Sequence, residues 1–135
     1  MTLATVRPTP CASCPFRQGV PSGVWHEDEY RKLPHYDGDM VDQSPLAFGC
    51  HQADGKLCAG WVGHKPFPDE LLAVRLGVMR GSMDRSVLNY TTDVPLFESG
   101  QAACDHGLRD IETPSDRAAE VIEKIIRVSQ KRRVE

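Results

Sequence analysis

The chain has 135 residues, of which 40% are hydrophobic and 7% aromatic, with 10 prolines and 11 glycines. That length suits one domain with a lean core and much loop, each loop residue costing roughly 1–2 kcal/mol to order. A net charge of -3 excludes a general basic field for nucleic acid, and no run nears the ~18 apolar residues that span a bilayer.

The first residues, Met1 to Pro8, lack the apolar run of a signal peptide, so the expected location is cytoplasmic. Prolines at 8, 10, 15 and 21 and glycines at 19 and 23 keep the opening stretch irregular. A short helix is predicted from Val24 to Leu33, with Ser22 as its cap and Pro34 at its end. His35 to Pro45 reads as a polar loop, and Asp54-Gly55 as a turn. Lys56 to Val62 is expected to form a helical turn carrying Cys58 and Trp61.

A second helix is predicted over Asp69–Arg80, with Pro68 at its start and Gly81 past its end. Ser82–Tyr90 and Pro95–Cys104 are expected as a third and a fourth, the latter stopped near Gly107. The strongest pattern is the last one. Thr113 reads as a cap and Pro114 as the first helical position, and Ala118, Val121, Ile122, Ile125, Ile126 and Ser129 then recur at helical spacing. With no long period-two run, the expected fold is mainly α. It is one domain over 1–135, with a loop-rich metal-binding half (1–65) and a helical half (66–135).

Five cysteines in a chain read as cytoplasmic point to metal or redox chemistry rather than structural disulfides. Cys11 and Cys14 form a C-x2-C pair, and Cys50 and Cys58 follow as a second, wider pair. Four thiolates make a full shell for a tetrahedral zinc or a [4Fe–4S] cluster. Wide spacing of the second pair and Pro15 directly after Cys14 favour the cluster as cofactor, with zinc as the alternative. Phe16, Phe48 and Trp61 are the candidate shield around it. His51 is a candidate to donate a hydrogen bond to a ligating sulfur or to replace one cysteine as ligand, and Cys104 reads as a core cysteine.

Cys11-Ala12-Ser13-Cys14-Pro15-Phe16-Arg17, Phe48-Gly49-Cys50-His51 and Cys58-Ala59-Gly60-Trp61 resemble the motifs of a family of uncharacterised small proteins from actinobacteria and their phages. The likeness spans roughly Cys11 to Leu76 and implies no established activity. A weaker likeness to zinc- or iron-chelating YkgJ-like proteins implies metal binding only. The WhiB-like iron–sulfur regulators place their close cysteine pair between the outer two, an order this chain does not share.

Catalytic patterns are sparse. A thioredoxin-type dithiol needs a helix after C-x2-C, which the prolines and glycines oppose. His26-Glu27-Asp28-Glu29 has no second histidine for a zincin helix. Lys131, Arg132 and Arg133 offset the dipole of the terminal helix and are candidate partner contacts. The expectation is therefore a metal-binding protein with a regulatory or interaction role, possible redox sensing included. Its partner is another protein or, more weakly, nucleic acid; the alternatives are a zinc interaction module or an iron–sulfur or dithiol oxidoreductase. An enzyme is not the favoured reading.

Overall fold

A computed structural model describes residues 3–49 and 56–134, and side chains through residue 130. Its elements are β1 (Thr5–Val6), α1 (Glu27–Arg31), β2 (Lys56–Leu57), α2 (Ala59–Gly63), α3 (Leu72–Met79), α4 (Gly100–Arg109) and α5 (Asp116–Val134). Single 3-10 turns lie at Leu33–Tyr36, Met40–Asp42, Pro68–Glu70 and Arg85–Asn89. The expectation of a mainly helical fold with short helices and long connections matches this architecture.

β1 and β2 pair in parallel, Thr5 opposite Lys56 and Val6 opposite Leu57. Such a two-residue ladder is too short to leave an alternating pattern in the sequence. It has one structural consequence: it sets the strand ending just before Cys58 beside the strand that leads to Cys11.

The first helix is shorter than predicted because its cap lies later. The His26 ring nitrogen Nδ1 accepts from the Asp28 N–H at 3.1 Å, starting α1 at Glu27. Ser22, the predicted cap, instead donates to the Gly107 carbonyl at 3.0 Å and accepts from the Asp110 N–H at 2.8 Å. The connection before α1 is thereby tied to α4. Tyr30 adds to the same joint: its buried hydroxyl accepts from the Val24 and Trp25 amides, both at 3.0 Å.

Gly107 does not stop α4, which begins at Gly100 behind the cap Ser99 and continues to Arg109. A Cβ on residue 107 would fall 2.1 Å from the Tyr30 ring, so this glycine is a contact surface rather than a terminator. Asp69–Arg80 also divides: Pro68–Glu70 is a 3-10 turn and α3 starts at Leu72. The buried Gln43 amide bridges that join, accepting from Leu72 N–H at 2.7 Å and donating to the Gly38 and Glu70 carbonyls. Ser82–Tyr90 yields only the 3-10 turn Arg85–Asn89, with the Asp84 side chain as its cap.

Trp61, Phe16, Leu33, Leu71, Val62, Val74 and Val87 are fully buried and belong to one core cluster, which also holds Cys11, Cys14 and Cys58. A smaller cluster of Val20, Val24 and Ala118 seats the start of α5. Ser115, two residues after the predicted cap Thr113, accepts from Ala118 N–H at 3.1 Å.

Candidate functional site

The C-x2-C segment folds as a tight turn, the Cys14 amide donating to the Cys11 carbonyl at 3.0 Å. Arg17 holds its base by donating to the Pro10 carbonyl at 2.7 Å, and the Trp25 indole donates to the Ser13 carbonyl at 2.8 Å. On the other side, the Cys58 amide donates to Phe48 O at 2.9 Å, and Cys58 occupies the residue before α2. These two anchors bring Cys14 Sγ to 3.7 Å from Cys58 Sγ across 44 positions of sequence. Cys11 Sγ lies 3.9 Å from Ser13 Oγ, and its thiol interacts with that of Cys14.

Gly60 makes the approach possible. An ideal Cβ there would stand 2.3 Å from Cys14 Sγ and 2.9 Å from Phe16 Cβ. The first turn of α2 therefore packs directly on the sulfur. Phe16, Phe48 and Trp61, the predicted shield, are all buried in the core around these thiols. Phe16 and Phe48 meet edge to face at 6.1 Å, and Tyr36 meets both Phe48 and Trp61 edgewise.

The electrostatics favour neutral sulfur. The Cys14 contact, then burial, pushes the Cys11 thiol above its ordinary range. At Cys14 the contact from Cys11 pulls downward, but Cys58 and burial outweigh it and the net direction is again up. Neither Cys11 nor Cys14 supplies a thiolate near neutral pH in this setting.

The predicted four-cysteine metal centre is corrected here. Among the described residues, no group of three or more His, Cys, Asp or Glu side chains is disposed to hold a metal ion. Cys50 and His51 lie outside the described residues. The [4Fe–4S] and zinc expectations, the metal tie between the two halves and the metal-dependent functions fall with that finding. The physical reason is that spacing counts candidate ligands without fixing where their sulfurs point. Here Cys14 Sγ meets Cys58 Sγ at 3.7 Å inside an apolar core. Cys104 is a separate buried thiol on α4, as expected of a core cysteine, and burial raises its pKa.

A polar network missing from the sequence reading adjoins this core. His64, at the end of α2, has a buried ring whose Nε2 lies 3.1 Å from Asp37 Oδ2 and whose Nδ1 contacts the Trp61 carbonyl. Asp37 also accepts from the Gly100 amide at 2.8 Å, and Lys65 Nζ stands 3.5 Å away. Burial alone would raise the Asp37 pKa, but these hydrogen bonds and the charges of His64 and Lys65 hold it below the ordinary carboxylate range. Phe16 stacks on His64 at 4.6 Å, coupling the network to the wall of the thiol site. Asp37 sits in a polar Asp-Gly stretch, and His64 in a segment without a motif, so nothing local paired them.

α5 presents the other notable surface. Ala118 is fully buried, and Arg117 donates to the Gly19 carbonyl at 2.8 Å. From 119 to 130 no residue is fully buried, and Ile126 and Val128 remain 50% and 45% exposed. Lys124, Arg127, Lys131, Arg132 and Arg133 concentrate positive charge in the same half of the helix. No helix among the described residues is long and apolar enough to cross a membrane.

A family of unknown function, DUF6283, matches residues 6–132. No curated protein and no solved structure matches the chain.

Proposed function

The chain belongs to the DUF6283 family, and we propose that it is a non-enzymatic protein-binding module whose docking element is the second half of α5. The observation that carries this reading is the uncovered pair Ile126 and Val128 on a helix already seated at its start by Ala118. Apolar area left in water forgoes about 25 cal/mol per Å2 of burial, so covering it favours association. The five cations of this half-helix select an acidic rim around the partner's apolar groove, and Lys131, Arg132 and Arg133 are the rim contacts in this reading. The motif likeness to proteins of actinobacteria and their phages makes actinobacterial cytoplasm the place to look for that partner.

The test is capture from nuclease-treated actinobacterial lysate by the full chain and by a chain ending at Ile125. Recovery of one acidic protein by the full chain alone, weakened by salt, is the expected result. Equal recovery by both forms refutes the assignment to α5. Binding that vanishes on nuclease treatment assigns the basic end to nucleic acid instead.

A further inference from the structure

Two thiols far apart in sequence meet inside the core. Cys14 Sγ and Cys58 Sγ stand 3.7 Å apart, both residues almost wholly buried. Each is positioned by backbone that is itself pinned: the Cys11–Cys14 turn by Arg17 and Trp25, and Cys58 by the Phe48 carbonyl. A disulfide needs the sulfurs at roughly 2.0 Å, so oxidation requires this pair, 3.7 Å apart, to close by about 1.7 Å.

We propose that Cys14 and Cys58 form an oxidative modification site that closes to an intramolecular disulfide with hydroperoxides. The minor fraction of a thiol that has lost its proton attacks a peroxide oxygen; the O–O bond breaks, leaving a sulfenic acid and, with hydrogen peroxide and the released proton, one water. The second sulfur then displaces the sulfenic oxygen, which leaves as water with the remaining thiol proton. Two thiols are oxidised, two electrons reduce the peroxide, and with hydrogen peroxide the products are one disulfide and two waters. Burial in an apolar core restricts entry to a small neutral oxidant and keeps the reaction slow, which separates this site from an exposed catalytic dithiol.

Cys11 is the competing partner, since its thiol also contacts Cys14. The two outcomes differ in consequence. A Cys11–Cys14 bond closes a ring of a few residues that already turns tightly. A Cys14–Cys58 bond ties the N-terminal turn to the start of α2 across 44 positions, and a loop of that length raises the melting temperature by about 10 °C.

The experiment treats the reduced full chain with hydrogen peroxide, then maps cross-links by peptide mass spectrometry without reduction, beside thermal melts with and without dithiothreitol. Wild type and Cys11→Ser should both give a Cys14–Cys58 linkage that has lost two hydrogens, with a higher melting temperature that dithiothreitol reverses. Cys58→Ser should give neither. The proposal is overturned by a dominant Cys11–Cys14 linkage, by linkage through Cys50 or Cys104, or by Cys14 oxidised only to sulfinic or sulfonic acid. Should Cys58→Ser fail to fold, the map of wild type and Cys11→Ser decides alone.

Discussion

Replacing Gly60 by alanine tests the packing of the thiol site with one methyl group. The added carbon would fall 2.3 Å from Cys14 Sγ, whereas ordinary van der Waals contact begins at 3.4 Å, so the two must separate by about 1.1 Å. Little room exists for that movement, because Cys14 and Phe16 are fully buried and the Phe16 Cβ is itself only 2.9 Å from the new methyl. Overpacking of this kind costs about 1–3 kcal/mol, more than the 0.5–1 kcal/mol that alanine gains over glycine inside a helix. For a chain of this length each kcal/mol moves the melting temperature by about 3–4 °C, so a net cost of up to about 2.5 kcal/mol lowers it by up to about 9 °C by circular dichroism. Gly19→Ala, where the added carbon meets nothing within 4 Å, is the control and should be silent. The double variant Gly60→Ala with Cys14→Ala removes the obstructing sulfur and should be more stable than the sum of its parts by about 1 kcal/mol. A stable Gly60→Ala protein, or strict additivity in the double variant, would refute the direct contact between α2 and Cys14.

Asp37→Ala leaves the buried His64 ring and the Gly100 amide without their shared partner and should cost about 1–3 kcal/mol, read as a lowered urea midpoint. Because the folded Asp37 carboxyl lies below its ordinary range, its stabilisation is complete above the unfolded value near pH 4. It is lost as pH falls through the lower folded value, so wild type should lose stability more steeply than Asp37→Asn as pH falls below about 4; parallel acid titrations would contradict the assignment. Tyr30→Phe removes the acceptor shared by the Val24 and Trp25 amides and should cost about 1–3 kcal/mol. Amide hydrogen exchange should quicken at those two positions, and unchanged protection there would discount the bond.

The helical character of the chain was legible because it rests on local periodicity, and α5 most of all. Its residues 118, 121, 122 and 125 recur on the side that meets Val20 and Val24. Boundaries were less legible wherever a long-range partner claimed the expected residue. Ser22 abandons its cap for α4, and Gly107 stays helical because Tyr30 needs the space its missing Cβ leaves. Of the motif residues, Cys14, Cys58, Phe16 and Trp61 lie in one core cluster. The motifs did not disclose what the sulfurs do there, because a thiol's ionisation and direction depend on burial and neighbours rather than on spacing. The metal expectation failed at that step. His64 and Asp37 carried no signal at all, since a buried hydrogen bond between residues 27 positions apart exists only once the chain has folded.

The most direct test of the proposed role is the double substitution Ile126→Glu with Val128→Glu, assayed for partner capture and thermal stability in the same preparation. Both side chains stand about half in solvent, and substitutions at such positions usually change stability by no more than about 0.5 kcal/mol. A melting temperature within about 2 °C of wild type is expected, together with loss of the captured acidic protein. Undiminished capture would show that α5 is not the docking element, and a collapse in melting temperature would show that this half of the helix belongs to the core.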